Sequence, residues 1–316
     1  MSKLTRRTFI KQASVLGLGS MVLPGILLKK TSALTAQNLP DIAIIEGTRI
    51  FENTLLAVER LGGMSRFVKN GQKVGLLINS DFEIPGVYTH PDVSLAVVKM
   101  CFDAGASEVS CLQCVISEYW ERSAHKTAME PYLTRLGNET LNRFPAKFEN
   151  GGFVKKEIIG AKHLKEIEVV GKLFEVDVLI NLPIAKHHAT TLFTGALKNM
   201  MGVNTRATNV TFHLNGPKRN DPVYLAECIA DLNRFRPADL TVMDATSYLT
   251  SNGPSGPGET AESNKILAGT DMVAIDALGS SYHGYSYEDI PTLAAGEQAG
   301  LGTANYHNLK IHEEKA

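Results

Sequence analysis

Three consecutive segments constrain the fold of this chain most strongly. The run KVGLLI (Lys73–Ile78) is short, apolar and rich in branched side chains, which is typical of a buried strand. A helix is predicted over Asp92–Ala104, with Pro91 in its first turn, and Glu108–Val115 follows as another strand. A strand, a helix and a strand in this order form a βαβ unit. The sequence therefore predicts an α/β fold with a layered, mostly parallel sheet and helices on both faces.

The rest of the chain continues this alternation. Further strands are predicted at 41–46, 153–159, 166–170, 178–182, 240–243 and 265–268, and further helices at 52–68, 221–235, 272–281 and 291–300. Residues 117–170 are expected to form a small insertion or cap over the sheet, and the polar segment 204–218 is expected to be a loop over a site. The turn-rich run 251–259 lacks the Gly-Lys-Ser/Thr ending of a nucleotide P-loop, which leaves an active-site loop or a simple hairpin.

The distribution of charge argues against a nucleic-acid partner. The formal net charge is -1, but six basic residues precede Asp41, the first acidic residue. Without those six, 26 basic residues stand against 33 acidic ones, a net charge of -7. Proteins that bind nucleic acid usually cluster Lys and Arg. A small ligand therefore fits this composition better.

The N-terminus resembles a twin-arginine export signal. The segment TRRTFIK is followed by the apolar run ASVLGLGSMVLPGILL, whose three glycines and one proline suit a signal better than a membrane-spanning helix. We therefore expect residues 1–36 to be a signal peptide, read by the twin-arginine export machinery, and residues 37–316 to form a single α/β domain. The expected location is periplasmic or otherwise extracytoplasmic. Lys29 and Lys30 leave open an uncleaved membrane anchor.

The cysteines do not form a cluster-binding pattern. The four are Cys101, Cys111, Cys114 and Cys228. Cys111 and Cys114 make one CxxC pair, but a second pair or a ferredoxin-type spacing is missing, so no iron–sulfur cluster is expected. For the pair itself a structural disulfide, free core thiols and a redox pair stay open, in that order of preference.

The stretch VLINLPIAKHHATTLFTGALKNMMG, residues 178–202, gathers polar side chains between a strand and a predicted helix. The first N–H groups of a helix lack internal partners and the helix dipole is positive there, so we expect this helix start to bind an anionic or metal-bound oxygen ligand. On a helix, Thr191, Thr194 and Lys198 would share one face that lines a pocket. A solvated turn and a solvated helix face are the competing interpretations.

Polar side chains at predicted strand ends supply the candidate site. The candidate catalytic residues are His187, His188, His213 and Asp244, and the candidate substrate-binding residues are Asn79, Lys186, Thr191, Lys198 and Asn199. Histidine with aspartate suits a divalent metal or a proton-transfer pair, and lysine suits an anion. The three histidines are the candidate metal ligands. If the strands are parallel, these residues meet at one edge of the sheet.

Two functions of different classes follow from these residues. The first is an exported enzyme that acts on a small anionic substrate by metal-assisted or acid–base chemistry. The second is a non-catalytic ligand-binding or accessory protein that serves a periplasmic redox partner.

Three phrases carry a resemblance to a known family. The runs VLINLPIAKHHATTLFTGALKNMMGV, LTVMDATSYLTSNGPSGPGE and NKILAGTDMVAIDALGSSYHG occur in this order, and they resemble the family called domain of unknown function 362. The resemblance spans roughly residues 42 to 300. It implies no established reaction. Many members carry a ferredoxin-like iron–sulfur domain, which this chain is expected to lack.

The resemblance also points to particular residues. The matching positions are Pro183, Lys186, His188 or its neighbour His187, Gly195, Lys198, Asn199 and Gly202. The usual Lys-Pro-Asn at the end of the second strand stands here as Leu77-Ile78-Asn79, so the Asn is kept and the Lys is lost. If that Lys contacts an anion, Lys186 or Lys198 is expected to take over the contact.

Overall fold

The computed structural model describes residues 39–113, 115–138 and 152–316, so the predicted signal peptide and Cys114 lie outside the described ranges. The strands are β1 (Ile42–Glu46), β2 (Lys73–Ile78), β3 (Glu108–Cys111), β4 (Gly137–Asn138), β5 (Phe153–Glu157), β6 (Glu166–Val170), β7 (Val178–Leu182), β8 (Lys186–His188), β9 (Leu192–Thr194), β10 (Leu240–Leu249), β11 (Thr260–Gly269) and β12 (Ile311–Lys315). The helices are α1 (Ile50–Arg60), α2 (Pro91–Asp103), α3 (Ser117–Glu121), α4 (Lys126–Leu133), α5 (Ala196–Asn199), α6 (Arg206–Leu214), α7 (Pro222–Phe235), α8 (Met272–Ser281) and α9 (Pro291–Gln298). None of the described helices has the length and apolar content needed to cross a membrane.

Eight of these strands form one mixed sheet, in the order β12-β1-β11-β10-β7-β2-β3-β4. The pairs β12/β1, β10/β7, β7/β2, β2/β3 and β3/β4 are parallel. Strand β11 is antiparallel to both of its neighbours, β1 and β10. All strands of this sheet except β11 therefore point the same way, which confirms the predicted mostly parallel α/β fold.

Both faces of the sheet are buried. Along β1, Ile42 and Ile44 belong to one hydrophobic cluster, whereas Ala43 and Ile45 belong to the other. This follows from the alternation of side chains along a strand. The first cluster contains residues of α5 to α9 and the second contains residues of α1 to α4, so helices cover both faces as predicted.

Local capping chemistry sets several helix starts. The side chain of Asp221 accepts hydrogen bonds from the N–H groups of Val223 and Tyr224, and Pro222 occupies the first position of α7. In the same way, Asp271 accepts a hydrogen bond of 2.8 Å from the N–H of Ala274 at the start of α8. These starts lie where the sequence predicts them.

The helix predicted at the end of residues 178–202 is largely wrong. Strands β8 and β9 pair there as a short antiparallel hairpin, and only the four residues of α5 form an α-helix, followed by a 3₁₀ turn at Met200–Val203. The turn between the strands is held by Nδ1 of His188, which accepts hydrogen bonds from two backbone N–H groups. Leu192 has a φ of 62°, which a helix does not allow.

The loop predicted at 204–218 is also wrong in part, because α6 occupies its centre. Thr205 caps this helix by accepting a hydrogen bond from the N–H of Thr208 at 3.2 Å.

Strand β10 runs past Asp244, where the sequence places its end. It continues to Leu249 because it forms a long hairpin with β11, with a register shift between Ala245 and Ser247. Asp244 therefore lies within a strand.

The predicted insertion at 117–170 has several parts. The predicted strands β5 and β6 pair as an antiparallel hairpin, and β4 adds to the edge of the main sheet. Helices α3 and α4 contribute Tyr119, Trp120 and Met129 to the same hydrophobic cluster as α2. Tyr119 donates a hydrogen bond of 2.8 Å to the carbonyl of Thr89. These two helices are thus part of the core on one face of the sheet, and residues 139–151 lie outside the described ranges.

Candidate functional site

A cavity of about 530 Å³ lies beyond the carboxyl ends of β2, β3 and β7. Its lining consists of Asn79, Ser80, Asp81, Phe82, Gln113, Lys186, His188, Ala189, Thr190, Thr194, Lys198, Asn199, Met201, Gly202, Asn209, His213, Asn220 and Pro254. The loops after β2 and β3, the β8–β9 hairpin, α5 and α6 all contribute. This is the edge of an open α/β sheet at which ligands generally bind.

The structure brings six of the nine candidate site residues to this cavity. They are Asn79, Lys186, His188, Lys198, Asn199 and His213. The other three, His187, Thr191 and Asp244, do not line it. Parallel strand ends therefore bring together residues that are more than a hundred positions apart in the chain.

Lys186 is the most deeply buried cation of the cavity, with 1% of its surface exposed. Its Nζ donates a hydrogen bond of 2.6 Å to the carbonyl of Val87 and lies 3.9 Å from the centre of the Phe82 ring. Burial, together with the charge of Lys198, lowers the pKa of Lys186 to about 6. Its amine is therefore mostly neutral at pH 7.

Lys198 differs from Lys186 in charge. Burial lowers the pKa of Lys198 to about 8, so its amine stays mostly protonated at pH 7. Its Nζ lies 3.6 Å from Sδ of Met201, a weak acceptor, and no carboxylate of the described residues forms an ion pair with it. The cavity thus holds a cation whose charge is not neutralised by a described side chain.

The ring of His188 has a defined tautomer. Its Nδ1 accepts hydrogen bonds from the N–H groups of Thr190 and Thr191, at 3.1 and 3.2 Å. Because Nδ1 uses its lone pair there, the proton of the neutral ring lies on Nε2. Burial is the largest cause that lowers the pKa of His188, the charge of Lys198 is the second, and the pKa is about 2. His188 is therefore a neutral donor that can polarise a ligand oxygen.

His213 has the opposite tautomer. Its Nδ1 lies 3.0 Å from Oδ1 of Asn220 and donates to that oxygen, which leaves the lone pair of the neutral ring on Nε2. Burial lowers the pKa of His213 below the ordinary histidine value, and the charge of Lys198 adds to this effect. A neutral ring with a lone pair can accept a proton.

The amides of Asn79 and Asn199 form a chain of hydrogen bonds. Asn79 donates to Oδ1 of Asn199 at 3.0 Å, and Asn199 donates to Oδ1 of Asn181 at 2.7 Å and to the carbonyl of Leu77 at 3.2 Å. Asn181 then donates to the carbonyl of Ala196 at 2.8 Å. This chain ties the end of β2 to β7 and α5, so these amides position the cavity walls.

The start of α5 does not have the free N–H groups that the sequence interpretation requires. Asp276 of α8, itself buried, accepts hydrogen bonds from the N–H groups of Ala196 and Leu197. A protein carboxylate thus occupies the position predicted for an anionic ligand. Gly195 is required for this contact because a Cβ there would lie 2.2 Å from Oδ1 of Asp276.

The three remaining candidates have structural partners. His187 lies beside His188 on β8, so its side chain points to the opposite face, where its Nδ1 accepts a hydrogen bond of 2.9 Å from Gly253. Asp244 accepts hydrogen bonds from the N–H of His90 at 2.7 Å and from Thr246. Thr191 donates to the carbonyl of Phe193 at 3.0 Å.

The metal hypothesis requires its three histidines together, but the structure brings only His188 and His213 to the cavity. His187 points away from the cavity, and the Nδ1 atoms of His188 and His213 already have partners. Among the described residues, no three or more His, Cys, Asp or Glu side chains are grouped so that they could hold a metal ion.

Several residues that line the cavity are not among the nine candidates from the sequence. Gln113 follows β3, so the rule about strand ends that selected Asn79 could also have found it. Asn209 lies within residues 204–218, which were expected over a site, so it could also have been found, whereas Asn220 lies just beyond that segment. Thr194, which was expected on a pocket-lining face, is 4% exposed and has a buried Oγ1 without a described hydrogen-bond partner. An unpartnered buried hydroxyl in a cavity wall is a group that a ligand could satisfy.

The cavity lies within a region that matches a known family. The family described as domain of unknown function (DUF362) matches residues 73–281. The chain belongs to this family. The matched region of the DUF362 family runs from β2 to α8 and includes every residue that lines the cavity.

One relative matches this chain over most of the length of both proteins. The thylakoid-associated protein sll1697 of Synechocystis sp. (strain ATCC 27184 / PCC 6803 / Kazusa) is 26% identical over 278 residues, which cover 87% of this chain and 81% of that protein.

Two solved structures resemble the fold of this DUF362 chain more distantly. The lactate racemase apoprotein from Thermoanaerobacterium thermosaccharolyticum has a TM-score of 0.49 and 10% identity, over 76% of this chain and 56% of that one. A protein from Thermotoga maritima has a TM-score of 0.41 and 15% identity, over 80% of this chain and 60% of that one. The chain thus spans less than two thirds of the length of either protein.

Proposed function

We propose that this protein is an enzyme that binds a small anionic substrate in the cavity and acts on it by acid–base chemistry. One observation carries the proposal: Lys186, His188, Lys198 and His213 line a single cavity, in which Asp81 is the one carboxylate among the described lining residues. A volume of about 530 Å³ suits a small molecule, since ligand pockets commonly measure ~300–1,000 Å³.

Lys198 is the proposed anchor for the anion. Its amine is charged at pH 7, and no described carboxylate pairs with it, so a substrate carboxylate or phosphate can supply the missing partner. The Oγ1 of Thr194 and the Nε2–H of His188 are two further donors for the same ligand. Donors fixed in a buried cavity stabilise a developing negative charge more strongly than water does.

Lys186 and His213 are the proposed proton-transfer groups. The amine of Lys186 is neutral above pH 6 and can therefore accept a proton near neutral pH. His213 offers the lone pair of Nε2. The proposal assigns no catalytic role to His187, Thr191 or Asp244, because they do not line the cavity.

We also propose that the protein is exported by the twin-arginine route. Support comes from TRRTFIK and the apolar segment that follows it. Replacing both Arg6 and Arg7 by Lys should retain the protein in the cytoplasm, as measured by fractionation and by protease protection of whole cells. An unchanged distribution would contradict this route.

The proposed activity can be tested by isotope exchange. Small hydroxy and oxo carboxylates and phosphate esters, incubated with the protein in D₂O, should yield a compound that gains deuterium at a carbon-bound position in the NMR spectrum. Lys186→Met should lose the exchange, whereas Lys310→Met, at an exposed lysine, should keep it. Binding of an anion in calorimetry without exchange of any compound would instead favour a ligand-binding or accessory role beside a redox partner. Failure to bind propionate, phosphate and the whole panel would refute the proposal.

A further inference from the structure

Lys186 has the geometry of a nucleophilic amine. Its side chain is almost completely buried, so the cavity is the route by which a small molecule reaches Nζ. The carbonyl of Val87 and the ring of Phe82 hold Nζ at a defined position in the wall. Burial and a neighbouring cation, here Lys198, are the two conditions that activate lysines for covalent catalysis.

The groups around Lys186 match the needs of a carbonyl substrate. Attack on a carbonyl carbon requires a donor to the carbonyl oxygen, a proton acceptor, and an anchor that fixes the substrate. His188 can donate its Nε2–H to the carbonyl oxygen, and His213 can accept the proton at Nε2. The charge of Lys198 can anchor the substrate. The cavity is therefore equipped for more than proton transfer.

We propose that Lys186 forms an imine with a small 2-oxo acid whose carboxylate is held by Lys198. The inference deepens the proposed function and rests on the anion-binding cavity described there. The 2-oxo acids are favoured because Lys186 and Lys198 are neighbours in one cavity, so the reactive carbonyl and the anchored carboxylate must also be neighbours. The imine would withdraw electrons and make an adjacent C–H or C–C bond easier to break.

Formation of the imine moves both protons of the neutral Nζ to the carbonyl oxygen. The lone pair of Nζ forms a bond to the carbonyl carbon, and the first proton that Nζ loses passes through His213 to the carbonyl oxygen, giving a carbinolamine. The second proton of Nζ then passes through His213 to that hydroxyl, which leaves as water while the C=N bond forms. The amine and the oxo acid thus give an imine and one water, with no oxidant or reductant.

Reductive trapping tests the inference. The full chain is incubated with pyruvate and sodium borohydride at pH 7, digested and mapped by mass spectrometry. A reduced pyruvate adduct should occur at Lys186. Its rate should exceed that at exposed Lys310 on the order of 100-fold, since far more of the Lys186 amine is neutral at pH 7, although a less basic amine is a weaker nucleophile. Lys186→Arg should lose the adduct, and the map of the wild-type protein assigns the site even if that variant does not fold.

Calorimetry separates the two proposals. Propionate resembles pyruvate in size and charge but has no carbonyl to attack. If propionate and pyruvate both bind and no adduct occurs at Lys186, the imine is overturned and the anion-binding function stands. If neither compound binds, both proposals fall. Adducts spread evenly over exposed lysines would also overturn the imine.

Discussion

The buried amine of Lys186 makes the stability of the protein depend on pH in a specific way. Burial and the charge of Lys198 lower its pKa to about 6 in the folded state, whereas a lysine in an unfolded chain titrates at ~10.4. Between these values the unfolded chain holds a proton that the folded chain lacks. Lys186 should therefore add to the free energy of unfolding as the pH rises, and this gain should be lost as the pH falls to 6.

The size of the effect follows from proton linkage. A full difference of one proton changes the free energy of unfolding by ~1.4 kcal/mol per pH unit, and near pH 6 the folded state holds about half a proton, so pH 6 to 8 gives about 2 kcal/mol. Lys186→Met removes this contribution and keeps most of the side-chain volume. The variant also leaves the carbonyl of Val87 without its donor, which costs ~1–3 kcal/mol at every pH.

Urea unfolding at pH 6, 7 and 8 measures this contribution, with the fluorescence of Trp120, the one tryptophan of the chain, as the signal. Wild-type protein should gain about 2 kcal/mol over Lys186→Met between pH 6 and pH 8. All other ionisable groups are common to the two proteins, so their contribution largely cancels in the difference. Lys310→Met, at an exposed lysine, should follow the wild type. Parallel pH curves for the wild type and Lys186→Met would refute the reasoning.

Four further outcomes are expected. Lys198→Gln should weaken propionate binding about tenfold in calorimetry because the charge is lost, and unchanged affinity would exclude Lys198 as the anchor. Propionate should bind wild-type protein more tightly as the pH falls through about 6, where Lys186 gains its proton, so a flat profile would contradict its lowered pKa. Gly195→Ala should lower the thermal midpoint in calorimetric scans, since its Cβ would lie 2.2 Å from Asp276, and an unchanged midpoint would contradict this contact. Asp276→Ala should lower the free energy of unfolding in urea by ~1–3 kcal/mol for each of the two backbone N–H groups left without an acceptor. A variant as stable as the wild type would contradict these hydrogen bonds.

Local chemistry predicted the framework of the fold well. Lys73–Ile78 forms the strand that its apolar pattern predicts, and α8 begins at the predicted residue because Asp271 caps it. Such signals lie within a few neighbouring residues, so these strands and helix starts can be predicted without knowing the tertiary contacts. The meeting of Asn79 and Lys186 was also predictable, since both follow the ends of neighbouring parallel strands, whereas Lys198 reaches the cavity on α5, after the β8–β9 hairpin.

The failures have two causes. The hairpin of β8 and β9 depends on a local turn, in which the ring of His188 accepts hydrogen bonds from the N–H groups two and three residues further on. The start of α5 is occupied by Asp276, which is 80 residues away from Ala196 and has no signal in the local sequence. The start of α6 did have one, because Thr205 is a standard N-cap residue.

The tautomers of the two cavity histidines could not be predicted from the sequence. They depend on the backbone N–H groups that meet His188 and on the position of Asn220 beside His213. These partners determine which ring donates and which accepts. The sequence therefore identified the two histidines, whereas the structure was needed to assign His188 as a donor and His213 as an acceptor.

An NMR titration of the imidazole groups tests most directly whether Lys186, Lys198, His188 and His213 share one anion site. Propionate is added to protein labelled with ¹⁵N in its histidine rings. The resonances of His188 and His213 should move together and give the same dissociation constant, while that of exposed His307 stays fixed. Movement of only one cavity ring, or different dissociation constants for the two, would contradict a single shared site.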